Sequence, residues 1–546
     1  MVTPERRSHS SPGLSPLKIK IFRNIWLANL VSNIGTWMHD VSAGWLMTDL
    51  APDPFMVSLV QVAVVLPGFL FTLPAGALAD IVDRRLYMLT AIVWMTCMAG
   101  GIGAMTVTGH ITPWSLIAFT FGLGIGAAMM MPALTSLIPD LVPRQQLTAA
   151  VTLNAIAMNL TRAVGPAIAG VIIALTGPGP VFLLNAVSFA AIYFVIFRYR
   201  STQPRSTLPS ERFFGALRVG FQFARQSPSL QTVIIRAVAF FTMMSGLFAF
   251  LPLIVRFEVG AGPQAYGLLV TSMGAGAVAT GLALTRIRTL ISNDSIVMIG
   301  TLVGALTLLA LAHIRLVLPL AGVMFIAGAA WISVVSTLQV CAQLSLPAWV
   351  RARGMAVFLA TFMGSMAIGS AFWGWVASAT NTTTALSLAV GFGVVGGLIT
   401  SRWKLAAHSK VDRSLAGTVP EGIVAVPEHA HEGPVMVNIE YLIDAEERTD
   451  FEAAMRDVRR MRLRNGAVAW GLFQDTEDNA RYVEHFIDPT WLDHLRGRER
   501  LTVEDMGFKQ VADSFHRGEG RPTVKHFIAR GAPKRRRDWL GRKLRD

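Results

Sequence analysis

The sequence has 546 residues, of which 53% are hydrophobic and only 15% charged, with a mean hydropathy of +0.49. Soluble domains average about 25% charged residues, so a chain that lies mostly in water is excluded. The net charge of +14 could suit nucleic acid, but the basic residues lie in short loops between apolar runs, where they set membrane topology; we expect no nucleic-acid partner.

Residues 1–21 form a basic cytoplasmic arm that leads into an apolar run. This run is too long for the central region of a signal peptide, and no small-residue cleavage site follows it. We therefore expect it to be retained as the first membrane span.

Twelve apolar runs are long enough to cross a membrane, which takes about 20 residues in a helix. They form two sets of six, at 22–198 and 230–404, joined by a central cytoplasmic loop at 199–229. The predicted spans are 22–47, 56–79, 86–107, 112–138, 147–176, 180–198, 230–256, 264–286, 294–313, 316–344, 353–379 and 383–402.

The loop charges indicate the orientation of the spans. If the N-terminus is cytoplasmic, thirteen arginines fall in the inner loops, and only Arg256 and Arg315 fall in the outer ones. The inner set is Arg84, Arg85, Arg144, Arg198, Arg200, Arg205, Arg212, Arg218, Arg225, Arg286, Arg288, Arg351 and Arg353. We expect a multi-pass protein of the bacterial inner membrane with both termini cytoplasmic. Arg236, near the inner end of span 7, should extend toward the lipid headgroups.

The two halves share a sequence register. A shift of 204 residues superposes Gly165 on Gly369 and Gly170 on Gly374, and it also places Pro143 on Pro347. This indicates a duplicated six-helix unit, an arrangement that places a substrate site near the bilayer midplane between the halves.

A short motif follows span 2. Its positions are Gly76, Leu78, Asp80, Arg84 and Arg85. It resembles the loop signature of the major facilitator superfamily, although Asp83 stands where that family usually has glycine. The resemblance implies a fold of twelve transmembrane helices in two six-helix repeats. It also implies that Asp80 braces the start of span 11, at residue 353, through the helix dipole. The alternative is a basic turn with no mechanical role.

Span 5 carries Gly165, Pro166 and Gly170, which resemble the glycine-proline signature of antiporters in the same superfamily. Small residues let helices approach closely, and a proline releases a backbone carbonyl. The resemblance favours export over import. The alternative is that these residues serve helix packing only.

Together with Phe22-Arg23, Trp37 and the tail segment Trp491–Val503, these motifs resemble the transmembrane secretion effector branch, which is enterobactin-exporter-like and also contains macrolide-efflux-like proteins. The resemblance covers nearly the whole chain and implies siderophore export or drug resistance. Span 4 lacks the arginine that proton antiporters often carry there. Met129–Met131 lie in that span, which we interpret as packing.

Ionisable residues inside a span cost several kcal/mol, so each is a functional candidate. Arg162 lies mid-span and shares a helical stripe with Asn154 and Met158, which could line a cavity. It could pair with Asp40 of span 1 or with an anionic substrate. A packing role for Arg162 and an interfacial position for Asp40 stay open.

The pattern changes to soluble periods at 434–530, after a linker at 405–433. The predicted order β-α-β-β-α-β suggests an α+β ferredoxin-like domain, and it resembles the dimeric α/β-barrel type of antibiotic-biosynthesis monooxygenases, which implies a homodimer. We interpret its histidines as surface or strand residues, since their spacing matches no ligand motif. They are His485, His494, His516 and His526. A basic tail at 531–546 could bind anionic lipid headgroups, and the alternative is a solvated, disordered end.

No phosphate-binding loop for ATP occurs in the sequence. The sequence thus predicts a secondary transporter that exports small, partly apolar molecules such as drugs or siderophores. Protons are the expected coupling ion, and we expect no cofactor, no metal and no enzymatic activity. An importer on the same fold is one alternative. A membrane-tethered sensor or enzyme, with its activity in the C-terminal domain, is the other.

Overall fold

The computed structural model describes residues 12–198, 221–347, 349–405 and 433–529. Within these ranges, twelve long helices lie in the predicted apolar runs, with ends that differ from the prediction by a few residues. They are α1 (Lys20–Leu50), α2 (Pro54–Ile81), α3 (Arg84–Val107), α4 (Pro113–Leu141), α5 (Leu147–Thr176), α6 (Gly179–Arg198), α7 (Pro228–Leu253), α8 (Pro263–Leu290), α9 (Asn293–His313), α10 (Val317–Leu344), α11 (Arg351–Ala379) and α12 (Thr382–Thr400).

Eleven of these helices are long and apolar enough to cross a membrane. The exception is α1, which has 31 residues but includes Asn29, Asn33 and Asp40 among its polar side chains. Length and composition therefore both support eleven of the twelve predicted spans. Length alone supports the first span, α1.

Several helix starts follow from local capping chemistry. The side chain of Asp53 accepts a hydrogen bond from the Met56 amide, and Pro54 occupies the first turn of α2, where no amide hydrogen is needed. Thr112 and Ser115 form a reciprocal capping box at the start of α4. These caps satisfy amides that would otherwise lack partners, so the short loops fix where each helix begins.

The two halves repeat a helix contact as well as a sequence pattern. A Cβ added at Gly165 of α5 would lie 2.6 Å from the Cβ of Trp37 in α1. One added at Gly369 of α11 would lie 2.4 Å from the Oγ of Ser245 in α7. Both distances are too short for a real side chain, so each crossing requires glycine. Equivalent positions thus pack on the first helix of their own half, which supports the internal repeat.

Arg236 does not extend toward lipid, so that expectation is wrong. It is 4% exposed, its guanidinium lies 2.6 Å from the carboxylate of Asp294, and it donates to the carbonyl of Trp403 at 2.8 Å. Asp294 also accepts from the amide of Leu405 at 3.0 Å. A charge buried with its partner costs less than one left alone, so the pair ties α7 and α9 to the chain after α12.

The described chain falls into two compact units. One contains most of the helix bundle, within 1–210, 232–341 and 358–407. The other combines the described residues of the C-terminal segment, within 408–546, with those of two stretches within 211–231 and 342–357. The predicted domain limits of 434–530 and 531–546 stay a prediction. The second range lies outside the described residues, as does the predicted linker at 405–433 apart from its two end residues.

The C-terminal segment contains a four-stranded sheet and three helices. The strands are β1 (Val435–Leu442), β2 (Ala469–Gln474), β3 (Arg481–Asp488) and β4 (Thr523–Ile528); the helices are α13 (Arg448–Asn465), α14 (Trp491–Glu499) and α15 (Val503–Ser514). The sheet order is β2-β3-β1-β4 with every neighbouring pair antiparallel. The predicted element order is confirmed, except that the second helical stretch is two helices.

The core of this segment follows from the alternation that the sequence shows. Alternate residues of β1, from Val435 to Tyr441, are at most 3% exposed and pack against α13. Phe451 and Met455 of α13 are fully buried against them. One face of the sheet is thus covered by helices. Every second side chain of the strand lies on that face, and the helix presents an apolar side chain to it every three or four residues.

Candidate functional site

A cavity lies among the helices of the first half. It contains about 1330 Å³ of empty space, part of it open to the surroundings, and it is lined by residues of α1, α3, α4, α5 and α6. Its wall is mainly apolar and includes Trp26, Met95 and Phe189. A pocket of this kind, apolar with a few polar groups, is the usual form of a small-molecule site.

The polar groups of the cavity come mostly from one helix. Asn29, Ser32, Asn33 and Thr36 of α1 recur every three or four residues, so they lie along one stripe that faces the cavity. Asn154 of α5 adds a further amide. None of these groups carries a formal charge, so the wall can hydrogen-bond to a substrate without demanding one sign of charge.

Methionines give part of the wall a deformable surface. Met130 and Met131 of α4 and Met158 of α5 all line the cavity. Met130 and Met131 therefore do more than pack between helices, because they also form part of the cavity wall. An unbranched thioether side chain adapts to ligands of different shape, which is why methionine is common at promiscuous binding surfaces.

The candidate Arg162 lies one turn beyond Met158 on α5. Its guanidinium carbon lies 5.2 Å from the ring centre of Trp37, a cation–π contact, and its Nε has no hydrogen-bond partner among the described residues. Asp40 and Arg162 form no ion pair with each other in this part of the chain. Asn154 thus reaches the cavity wall, whereas Arg162 packs on α1.

The residue before Asp40 is also unusual. His39 is fully buried, with its ring 4.8 Å from that of Phe182, and neither ring nitrogen has a hydrogen-bond partner in the described chain. The sequence marked Asp40 and gave no separate role to His39. The signal that could have added it is a second ionisable side chain within the same span, next to Asp40 in the sequence.

The glycine-proline motif joins α5 to α8. A Cβ added at Gly170 would lie 2.8 Å from the carbonyl oxygen of Pro263, and one at Gly267 would lie 2.5 Å from that of Pro166. Backbone therefore lies directly on backbone where α5 ends and α8 begins. We call this end of the bundle, at which α1 also ends, the Leu50 end.

The loop motif after α2 is described only in part. The side chains of Asp80 and Arg84 lie outside what the structure describes. Arg85 donates to the carbonyls of Ile196 and Phe197 at the C-terminal end of α6. The helix dipole is negative there, so it stabilises the positive charge of Arg85. Asp83 accepts from the Leu86 amide at 2.9 Å and caps α3, which explains the carboxylate at this position. Gly76 and Leu78 lie in the last turns of α2, Leu78 being exposed.

An ion pair that the sequence did not identify joins the two halves at the Leu50 end. Arg256, after α7, pairs with Asp49 at the end of α1, and it donates to the Thr48 hydroxyl at 3.0 Å. Its guanidinium also lies 5.4 Å from the ring centre of Trp45. The charge pattern alone places Arg256 in a loop, because only the tertiary structure brings residues 49 and 256 together.

A second contact closes the same end. The Ser378 hydroxyl, at the end of α11, donates to the Asp53 carboxylate at 2.7 Å and accepts from the Phe55 amide at 2.9 Å. Thus α1 meets α7, α2 meets α11 and α5 meets α8 at the Leu50 end. The arrangement can act as a closed gate, with the cavity on its other side.

The C-terminal segment holds the stretch that leads into α11. Arg500, after α14, lies 4.6 Å from the ring centre of Trp349. Burial, and then the nearby charges of Arg353 and Arg496, lower the pKa of Arg500 to about 10. The side chain therefore stays charged at neutral pH, and the aromatic ring provides its cation–π partner.

Comparison with known proteins gives consistent matches. The family model described as transmembrane secretion effector matches residues 11–534. A Bacillus subtilis (strain 168) protein, the uncharacterized MFS-type transporter YfiS, is 26% identical over 409 residues, 71% of this chain and 96% of that protein. The enterobactin exporter EntS of Salmonella typhimurium (strain LT2) is 27% identical over 386 residues, 68% of this chain and 89% of that protein.

Among solved structures, a bacterial homologue of the human lysosomal transporter Spinster, in an inward-facing and occupied conformation, superposes with a TM-score of 0.58. The alignment is 14% identical and covers 72% of this chain and 99% of that one. At this identity the likeness shows the fold alone.

We predict that Arg256→Glu opens the Leu50 end, because the new carboxylate repels Asp49. The reporter is Ala169→Cys on α5, fully buried beside Gly170, in a background without Cys97 and Cys341. Its labelling by a membrane-impermeant maleimide should rise about fivefold, corresponding to about 1 kcal/mol for one exposed ion pair.

The double variant Asp49→Arg with Arg256→Glu restores the pair with reversed sign and should return labelling toward the starting rate. Arg315→Ala is the matched control, because Arg315 pairs with Glu258 at 2.5 Å within the second half. Equal labelling in all four proteins would show that the pair does not hold this end closed.

Proposed function

The chain belongs to the transmembrane secretion effector family, and from that premise we propose that it is a secondary active exporter of small molecules that works by alternating access. The observation that carries the proposal is the cavity of about 1330 Å³ in the first half, closed from the Leu50 end by contacts between the halves. A carrier of this kind must expose one cavity to each side in turn.

The chemistry of the wall favours a substrate that is partly apolar and rich in hydrogen-bonding groups. The amides of Asn29, Asn33 and Asn154 can bind carbonyl or hydroxyl groups, and the methionines can adapt to an apolar body. The relationship to an enterobactin exporter makes a siderophore the first candidate, and a hydrophobic drug is the second.

The proposed orientation places both termini in the cytoplasm of a bacterium and the Leu50 end outside the inner membrane. The one-sided distribution of loop arginines supports this arrangement. The cavity then faces the cytoplasm in the described state, which is the side from which an exporter loads. The basic residues after 530 would lie near the lipid headgroups, although they fall outside the described chain.

Protons are the coupling ion in this proposal, with Asp40, His39 and Arg162 as the groups involved. All three lie on α1 and α5, the helices that meet at Gly165. Arg162 is held by a ring rather than by a carboxylate, so it can exchange the Trp37 contact for an anionic group during transport. Asp40 is the carboxylate that can gain and lose a proton at membrane depth.

The C-terminal segment is proposed to be a ferredoxin-like domain that pairs with a second copy. The order β2-β3-β1-β4 and the antiparallel strands support the fold. The sheet face away from the helices carries apolar side chains that stay accessible: Phe473 is 56% exposed and Phe527 45%. A second sheet packed on this face would remove them from water.

An importer on the same fold is the nearest rival. Knockout cells distinguish export from import. If the protein is an exporter, its substrate should accumulate inside the knockout cells or become more toxic to them. A macrolide and enterobactin are the first probes. Loss of uptake in the knockout would favour import. The other rival is a tethered sensor or enzyme, and intact export after truncation at about residue 410 would count against it.

We predict that Asp80→Asn reduces export at least tenfold while expression and membrane insertion stay normal. The reason is that the proposed bracing of the start of α11 needs a negative charge at a positive helix end. Asp83→Asn is the matched control, because it removes the same charge three residues away while asparagine keeps the cap on α3. Equal export by both variants would eliminate the bracing role.

We predict that Arg162→Ala abolishes gradient-driven export and that Asp40→Asn does so too. Both changes remove a charge at membrane depth that the proposed coupling uses. The measurement is transport in proteoliposomes under an imposed pH gradient, with substrate exchange at equal pH as the control for an intact cavity. If both variants respond to the gradient as the unmodified protein does, the coupling site lies elsewhere.

We predict that residues 434–530, expressed alone, fold, self-associate and perform no redox chemistry. The exposed apolar sheet face supplies the reason for self-association. Light scattering gives the mass, and Phe473→Lys should return the domain to a monomer. Titration with haem and flavin tests the chemistry. A wild-type monomer would contradict the pairing, and stoichiometric haem binding with turnover would promote the enzyme rival.

A further inference from the structure

The C-terminal segment contains a second pocket, bounded by the helix-facing side of its sheet and by α13, α14 and α15. It contains about 560 Å³ of empty space, part of it open to solvent. Val437, Ile439 and Val524 come from the strands, and Met461 and Met506 come from the helices. Small-molecule sites are mostly apolar with a few polar groups, and this wall has that character, so the pocket suits a small ligand with an apolar body.

One polar side chain in the wall is incompletely satisfied. His494 of α14 is 4% exposed, and its Nδ1 lies 2.8 Å from Oδ2 of Asp488, which itself is 7% exposed. The Nε2 atom is buried and has no hydrogen-bond partner in the described chain. The interpretation of His494 as a surface or strand residue is therefore wrong. A native protein rarely buries such an atom without use for it.

The bond to Asp488 determines what His494 can offer. An ionised carboxylate only accepts, so Nδ1 carries a hydrogen and donates it. Nε2 then presents a lone pair if the ring is neutral and a second N–H if the ring is protonated. An acidic O–H group satisfies both states, because its hydrogen can lie on either side of the same hydrogen bond.

The remaining charges favour an acid over a base. Arg462 is committed to Glu484, which accepts from its Nε at 3.0 Å. Burial alone would lower the pKa of Arg462, but the Glu484 carboxylate outweighs it and the net shift is upward. Asp505 is paired with Arg464.

The wall also carries the cation Lys509. Asp505, the carboxylate of this wall, is already paired with Arg464. A negatively charged ligand would therefore be attracted by Lys509, whereas a ligand cation would find no unpaired carboxylate among the described residues of the wall.

Aromatic rings surround the same histidine. The rings of Trp491 and His526 lie 5.3 Å and 5.1 Å from that of His494, and the Phe486 ring stacks on it at 6.2 Å. The Nε1 of Trp491 is a second buried donor without a partner in the described chain. Phe486 and His526 line the pocket, so a planar ligand meets their rings on its apolar part and His494 at its polar end.

We propose that this pocket binds a small organic acid, a carboxylic acid or an acidic phenol on an apolar body, with its acidic oxygen on Nε2 of His494. The C-terminal domain is then a receptor for such an acid, separate from the transport cavity. Binding does not depend on whether the bundle transports anything, so this proposal and the proposed export can fail independently.

The test is calorimetric titration of the purified full-length protein in detergent with three probes: benzoate, 4-nitrophenolate and the neutral isostere benzamide. At least one acid should bind about tenfold tighter than benzamide, since a hydrogen bond to a charged group is stronger than one between neutral groups. His494→Asn should weaken that acid at least tenfold, because asparagine can still reach Asp488 but lacks the distal nitrogen. His494→Gln, which restores a distal polar group, should recover part of the affinity.

His485→Asn is the matched control, since His485 stacks on Phe473 at 5.0 Å on the other face of the sheet. It should change affinity less than twofold. Lys509→Gln, on the wall, tests the site a second time should the His494 variants fold poorly, and it too should weaken the acid. Three outcomes would overturn the proposal: no acid binding up to 10 mM, equal affinity for benzamide, or binding lost in Arg162→Ala but kept in the His494 and Lys509 variants.

Discussion

The close approach of α5 to its neighbours is the constraint on which the bundle depends. Gly165 lets α5 contact α1, and Gly170 lets it contact α8, with backbone against backbone. In lipid there is little hydrophobic drive between helices, so close van der Waals contact over small residues must hold them together. Because α1 belongs to the first half and α8 to the second, the same helix links the cavity wall to the interface between the halves.

The ion pairs follow from that geometry. Once α5 and α8 meet, the ends of α1 and α7 lie side by side, and Arg256 reaches Asp49. An exposed pair of this kind contributes little to stability, about 0–1 kcal/mol, so it can break in a conformational cycle. Arg236 with Asp294 is different: the arginine is 4% exposed and also holds a backbone carbonyl, so this pair is suited to a permanent joint.

The C-terminal segment uses its charges for another purpose. Its buried network pairs Arg462 with Glu484 and Asp488 with His494, and each pair satisfies groups that a sheet-and-helix core would otherwise leave without partners. The same segment contacts Trp349, in the stretch that leads into α11, through Arg500. The proposed acid site on α14 is therefore six residues from a side chain that contacts this stretch.

The sequence by itself determined the helix positions, the tail elements and the internal repeat, because each depends on local periodicity or spacing. It also placed Asn154 on a cavity-facing stripe, since helical spacing is a local property. Only the tertiary structure decided which charges meet. It brought Arg256 to Asp49 across 207 positions, paired Arg236 with Asp294, put Arg162 on Trp37 rather than on Asp40, and buried His494. Contacts between residues far apart in the chain depend on how the helices and strands pack, and no pattern within one segment encodes that packing.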